Sequence, residues 1–260
     1  MKLFIKYLVV SIIFLSMLTQ GAFAAKKYNT SELINIAGMQ RMLSQKIAKA
    51  YFFYGQGVRP DKTKKQLMDS IALFDKNYNI LLANISDANI TDMLVFVEMS
   101  KDELSPLAKQ AFNKDNGSLM LDYSETLLEA SNDIVKRIEA TTKTKKNMIV
   151  NLAGRQRMLT QRIAKFYIAY QSGFKDVNTI KQLKQSMKEF EDAHVILAKN
   201  IQNTSQITTE LNKVAKLWNV VSKFYKDVER GGLPVIVLSS TDKIMASMNR
   251  VTKLYVELGK

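Results

Sequence analysis

The sequence predicts an all-α protein: two tandem antiparallel four-helix bundles that form a pseudo-dimer. Three observations carry this. Glycine and proline are scarce, 10 and 3 in 260 residues, and they fall where helices should end. Apolar residues recur at helical spacing. The chain also repeats itself. Residues 34–57 (INIAGMQRMLSQKIAKAYFFYGQG) and 150–173 (VNLAGRQRMLTQRIAKFYIAYQSG) lie 116 residues apart and match at 14 of 24 positions without a gap.

The elements follow in order. A first helix covers about residues 30–56 and ends at Gly55, Gly57 and Pro60. A second, about 62–86, carries Leu67, Ile71, Phe74, Tyr78 and Leu81 on one stripe. A third, about 90–113, should break near Ser105-Pro106, because proline removes a backbone donor. Asn116-Gly117 then separates it from a fourth, about 118–141. The second unit repeats the plan at about 146–172, 177–202, 206–229 and 234–258. Gly231-Gly232 closes its third helix, and Pro234 suits the first turn of its fourth. Val235–Leu238 is β-branched but lies where the repeat places a helix. Four helices with short loops imply an up-down-up-down bundle.

The offset of 116 holds beyond the motif: Gln66-Leu67 meets Gln182-Leu183, Phe74 meets Phe190, Asn84-Ile85 meets Asn200-Ile201, Ser124 meets Ser240, and Ala130-Ser131 meets Ala246-Ser247. Solenoid units are typically about 20–50 residues, so a repeat this long reads as duplicated domains, each large enough to bury a core. The expected divisions are a leader at 1–24, a first domain at 25–144 and a second at 145–260. A turn at 141–147 would lay the units side by side with their motif helices parallel. A continuous helix over about 118–172 would instead stack them end to end, and the ligand site would then require a homodimer.

Lys2 and Lys6, an apolar run from Tyr7 to Leu18, and Ala22-Phe23-Ala24 read as a secretory signal peptide cut after Ala24. The expected compartment is the periplasm. The absence of cysteine leaves neither a disulfide framework nor a lipoprotein anchor. Removal of the leader leaves 36 basic and 24 acidic side chains, a balance that attracts anions. No basic block with interleaved aromatics points to nucleic acid.

On a helical wheel, Ile36, Leu43, Ile47 and Tyr54 gather on one side of the first motif helix, as a core stripe. Gly38, Arg41, Gln45 and Phe52 gather opposite. The second copy splits likewise, with Gly154, Arg157 and Gln161 opposite Leu152, Leu159, Ile163 and Tyr170. A mid-helix glycine costs about 1 kcal/mol relative to alanine and is kept where another backbone or a ligand comes close. Arginine presents a planar fork suited to oxyanions. Gln45, Gln161, Asn35 and Asn151 add neutral donors. The candidate ligand-binding set is therefore Arg41, Arg157, Gly38, Gly154, Gln45, Gln161, Asn35 and Asn151. Two such helices packed motif to motif would bring both arginines around one point, where an anion relieves their repulsion.

The runs Asn35-x-Ala37-Gly38-x-x-Arg41-Met42 with Lys46, and Asn151-x-Ala153-Gly154-x-x-Arg157-Met158 with Arg162, resemble the periplasmic sensor domain of nitrate/nitrite sensor kinases. They resemble still more the N-terminal domain of type IV pilus methyl-accepting chemotaxis transducers. The resemblance implies an antiparallel four-helix bundle and anion binding by the arginine three residues after the glycine, at a helix–helix dimer interface. That role falls on Arg41 and Arg157. Ser44-Gln45 and Thr160-Gln161 stand where the sensor-type motif carries serine-tyrosine. The chain reads to Lys260 without a kinase or methylation region, so the expected function is a periplasmic sensory protein that binds a small oxyanion, nitrate or nitrite, and signals through a membrane sensor kinase or chemoreceptor. The alternative is a helical interaction or scaffold protein associated with a pilus or chemoreceptor system.

No catalytic, metal or cofactor site is expected. His194 is the only histidine and aligns with Tyr78 in the repeat, as a helix-face residue. No group of His, Cys and carboxylates has ligand spacing, and no His–Ser–Asp arrangement supports nucleophilic catalysis. The protein is read as a non-enzyme.

Overall fold

Residues 27–142 and 144–258 are described by a computed structural model. The proposed leader lies outside them. Among the described residues there are eight α-helices and no strand: α1 Thr30–Gly55, α2 Pro60–Asn84, α3 Ala88–Leu107, α4 Lys114–Ala140, α5 Lys145–Gln171, α6 Val177–Ala198, α7 Ser205–Lys226 and α8 Pro234–Glu257. A short 3-10 turn, Val228–Arg230, precedes α8. None of these helices is long and apolar enough to cross a membrane.

Local chemistry sets the helix starts. Asn29 forms a capping box with Glu32 ahead of α1, satisfying two backbone donors that the helix leaves unpaired. Asp87, Asn113, Asp176 and Thr204 cap α3, α4, α6 and α7 with side-chain oxygens. Pro60 and Pro234 open α2 and α8, where a missing N–H costs nothing. The expected separator Asn116-Gly117 lies inside the first turn of α4, because the real cap is Asn113, three residues earlier. The helix α3 stops at Leu107, one residue after Pro106, and not at 113.

The junction between α4 and α5 has no glycine or proline. Threonines and an asparagine make it. The Thr144 hydroxyl accepts from the Asn147 N–H at 3.1 Å, and Asn147 Nδ2 donates to Thr142 Oγ1 at 2.5 Å. These bonds end one helix at Ala140 and start the next at Lys145. The continuous helix over 118–172 is therefore not formed.

Helix α1 packs on α2 and α4, with α3 closing the first group against α4. Helix α5 packs likewise on α6 and α8, with α7 against α8. The longest seam in the molecule runs between α1 and α5 themselves. Residues that correspond in the repeat meet across it: Ser31 Oγ donates to Asn147 Oδ1 at 2.6 Å, and Gly38 faces the same guanidiniums as Gly154. The two motif helices thus run parallel and in register. At the far end of the seam Phe52 meets Phe174 edge to face, centroids 5.4 Å apart.

The pair α1–α5 lies at the centre, and the motif face with Gly38 and Arg41 turns to the partner motif helix. From Ile34 to Phe53 almost every residue of α1 is buried, polar ones included. Only a narrow side with Asn35, Met39 and Lys46 stays partly exposed. Tyr54, expected on the core stripe, is 36 % exposed at the end of α1.

The fourth helices correct the repeat itself. Burial in α4 and α8 corresponds at an offset of 117, as in Met120 with Val237, Leu127 with Ile244 and Ile134 with Val251. The identities at 116, Ser124 with Ser240 and Ala130-Ser131 with Ala246-Ser247, are not the structural equivalents. One extra residue between the motif and the last helix of the second unit shifts the register.

Candidate functional site

Arg41 and Arg157 are fully enclosed in the seam between α1 and α5. Each guanidinium reaches over the seam. Arg41 Nη2 donates to Asn151 Oδ1 on α5 at 2.7 Å, and its Nη1 to Asn132 Oδ1 on α4 at 3.0 Å. Arg157 Nη2 donates to Asn35 Oδ1 on α1 at 2.8 Å, and its Nη1 to Asn249 Oδ1 on α8 at 3.0 Å. The arrangement is two-fold in character: each arginine is held by one asparagine from the other motif and one from its own fourth helix.

The glycines make this crossing possible. A Cβ on Gly38 would stand 3.3 Å from Arg41 Nη2 and 3.6 Å from Arg157 Nη2. The same distances recur at Gly154, 3.3 Å to Arg157 Nη2 and 3.6 Å to Arg41 Nη2. Both guanidiniums therefore share the space that two absent side chains leave open.

The electrostatics are unusual. Buried charges are normally paired, yet among the described residues neither guanidinium makes an ion pair. Their partners are neutral amides. The Nε of each has no hydrogen-bond partner there, so each arginine, with five N–H donors, keeps donors to spare. Burial, the facing Arg157 and then Arg155 pull the Arg41 pKa down to about 9, against a smaller opposing pull from Glu139. Burial alone pulls Arg157 to about 10. Both remain cationic at neutral pH, at a cost that a bound anion would offset.

The remaining residues of the predicted set divide. Asn35 and Asn151 lie in the site as anchors of the arginines, and Asn151 Nδ2 also donates to Glu139 Oε2 at 2.6 Å. Gln45 does not join them. Its Nε2 donates to the Ser124 carbonyl at 2.8 Å, on α4 of its own group. Gln161 is fully buried with neither amide atom hydrogen-bonded. A wheel placed Gln45 beside Arg41, but one helical turn carries it along the axis toward α4.

Asn132 and Asn249 escaped the sequence reading because they lie 117 residues apart, outside the offset that the motif defines. The same slip hid a second layer of the seam. Lys49 and Lys165 correspond in the repeat and are fully buried. Lys49 Nζ meets Asp242 Oδ1 on α8 at 3.0 Å, and Lys165 Nζ meets Glu125 Oε1 on α4 at 2.5 Å. Both ion pairs join one half of the molecule to the other. Lys62 and Gln66 also hold Asp242, at 2.7 Å each. Arg162 also holds Glu125, and donates to Gln182 Oε1 at 2.8 Å. Despite the burial that opposes it, the neighbouring cations hold the carboxyl pKa of Glu125 and of Asp242 at about 2.

His194 stacks parallel on Phe190 with centroids 6.2 Å apart, and burial lowers its pKa. No group of three metal-ligating side chains occurs among the described residues.

A cleft of about 740 Å³ opens beside Arg41, between the end of α4, the start of α5 and the end of α6. Arg41, Asn132 and Asn151 form part of its wall.

Against known families, the chain matches PilJ, described as the type IV pili methyl-accepting chemotaxis transducer N-term, over residues 23–90 and 140–244. No curated protein matches it, and no solved structure does.

Proposed function

Because the chain belongs to the type IV pili methyl-accepting chemotaxis transducer N-terminal family, a non-catalytic sensory family of chemotaxis transducers, we propose that it is a periplasmic sensory protein that captures a small oxyanion between Arg41 and Arg157. Nitrate and nitrite are the first candidates. The bound state then passes to a membrane chemoreceptor or sensor kinase. On this reading the two four-helix groups act as an internal pseudo-dimer, and α1 and α5 supply the two halves of one binding site.

The observation that carries the reading is the pair of buried guanidiniums held by asparagines and not by carboxylates. An anion between them would supply the missing counter-charge and draw the two helices toward a common centre. Charge-assisted hydrogen bonds contribute about 1.5–3 kcal/mol each, enough for two arginines to hold a small anion.

Thermal denaturation and calorimetry with nitrate and nitrite test this. Binding to the folded state raises its melting temperature, and the rise should vanish when Arg41 and Arg157 are both replaced by glutamine. An unchanged rise in that double variant, or no anion effect on the unaltered protein, removes the reading.

A further inference from the structure

The cleft beside Arg41 has a composition that bare nitrate would not need. Its apolar wall is Met148, Ile149, Leu152, Ile196 and Ile201. Met148 is 59 % and Ile201 99 % exposed, so these side chains form an open hydrophobic rim without protein cover among the described residues. Around them stand four cations, Arg41, Lys136, Lys145 and Arg155, against the single carboxylate of Glu139. The volume lies within the range of small-molecule sites, about 300–1,000 Å³. Arg41 is both buried to 1 % and left with an unpaired Nε. A buried donor without a partner calls for an explanation, and a bound anion at the cleft wall that Arg41 forms is one.

We infer that this cleft binds an organic anion, a carboxylate on a short apolar body, with the carboxylate toward Arg41 and the body along Met148, Ile149 and Ile201. The inference rests on the reading that the arginine pair accepts negative charge, and it narrows the ligand class. Lys136 and Lys145 draw the anion to the mouth. The asparagines orient the guanidinium that receives it, and the apolar rim selects for the body.

The chemistry that lines the cleft belongs to one half of the sequence. Positions that correspond in the repeat carry other chemistry near Arg157: Val256 for Glu139, Met39 for Arg155 and Glu32 for Met148. An asymmetric ligand with one charged and one apolar end suits an asymmetric site better than a trigonal inorganic ion does.

Calorimetry on the full-length protein with sodium nitrate, acetate, butyrate and hexanoate tests the inference. Affinity should rise along the carboxylates by about fourfold for each buried methylene. Met148→Gln and Ile201→Gln replace exposed apolar side chains with neutral polar ones, so the charge around Arg41 is unchanged. Each should weaken hexanoate at least tenfold and leave nitrate unaltered. Arg41→Gln should abolish hexanoate binding. A flat carboxylate series, hexanoate binding indifferent to the rim variants, or hexanoate binding that survives Arg41→Gln overturns the inference. Nitrate binding with no hexanoate binding overturns it while leaving the arginine-pair reading standing. Rim-dependent hexanoate binding without nitrate binding supports it and removes only the inorganic ligand. No binding of either probe overturns both.

Discussion

Arg41 and Arg157 occupy the same place in the same motif, yet their surroundings differ. Each is held by two asparagines and lies against both glycines. Around Arg41, however, are Arg155, Glu139 and an open cleft, and its pKa falls to about 9, below the value of about 10 at Arg157. In a true homodimer both halves of such a site are bound to be identical. Duplication within one chain removes that constraint, because each half mutates alone. The inner layer, helix against helix, kept its symmetry, and the outer layer did not.

The second layer of the seam shows the same contrast and gives the largest expected effect. Glu125 neutralises Lys165 and Arg162, whose side chains are 0 % and 12 % exposed. Asp242 neutralises Lys49 and Lys62, and Lys62 is 41 % exposed and able to turn to water. Removing one partner of a buried pair costs about 3–5 kcal/mol. Glu125→Gln should therefore lose stability in that range, and Asp242→Asn, with one of its cations released, should lose less. Chemical denaturation of both variants checks the order; equal losses would mean that the two ion-pair groups are equivalent after all.

Acid should reveal the same groups. A carboxylate whose folded pKa lies below its unfolded value contributes stability that is present above the unfolded pKa and lost as pH falls through the folded one. For Glu125 and Asp242, both held at about 2, the window runs from about pH 4.5 down to about pH 2. Melting temperature should fall through that window, and the fall should be shallower in Glu125→Gln. An unaltered slope in the variant would assign the acid sensitivity elsewhere.

Part of the fold was legible in the sequence because breakers are written locally: Gly55, Gly57 and Pro60 mark the end of α1, and Pro234 the first turn of α8, where a missing N–H costs nothing. The junction at Thr141–Thr144 was harder, since it is built from side-chain hydrogen bonds between Thr142, Thr144 and Asn147 rather than from a breaker. The arginines and glycines were legible through duplication. Asn132, Asn249, Glu125 and Asp242 were not, because a one-residue slip ahead of α8 breaks the numerical offset while preserving the buried face. Gln45 misled for the opposite reason. It shares the offset and the wheel position, but a wheel discards distance along the axis, and its amide bonds α4 instead.

The glycines give a smaller effect, on binding more than on stability. An alanine Cβ at Gly38 or Gly154 would sit 3.3 Å from the far end of its own arginine, which can shift by a few tenths of an ångström. Alanine also favours the helix by about 1 kcal/mol, so melting should change little. Displaced guanidiniums should bind the anion several-fold more weakly. Calorimetry of Gly38→Ala and Gly154→Ala decides this, and a larger loss at Gly38 would show that the Arg41 side dominates.

The smallest expected effect makes one half resemble the other. Glu139 is the carboxylate of the Arg41 cleft, and Val256 holds its place in the second unit. Glu139→Val removes a negative charge that faces the incoming anion, but it also frees Asn151 Nδ2, which Glu139 now accepts from at 2.6 Å. The first change strengthens anion binding. The second leaves an amide donor pointing at the cleft, where an anion can take it. Both act in the same direction, and across a partly solvated edge single charge changes amount to about 0.2–1 kcal/mol. Anion affinity should therefore rise up to about fivefold, read by calorimetry at low salt. A weaker complex would instead mean that Glu139 holds Asn151, and through it Arg41, in the receptive position, so that the asymmetry between the halves serves the arginine's orientation and not the ligand's charge.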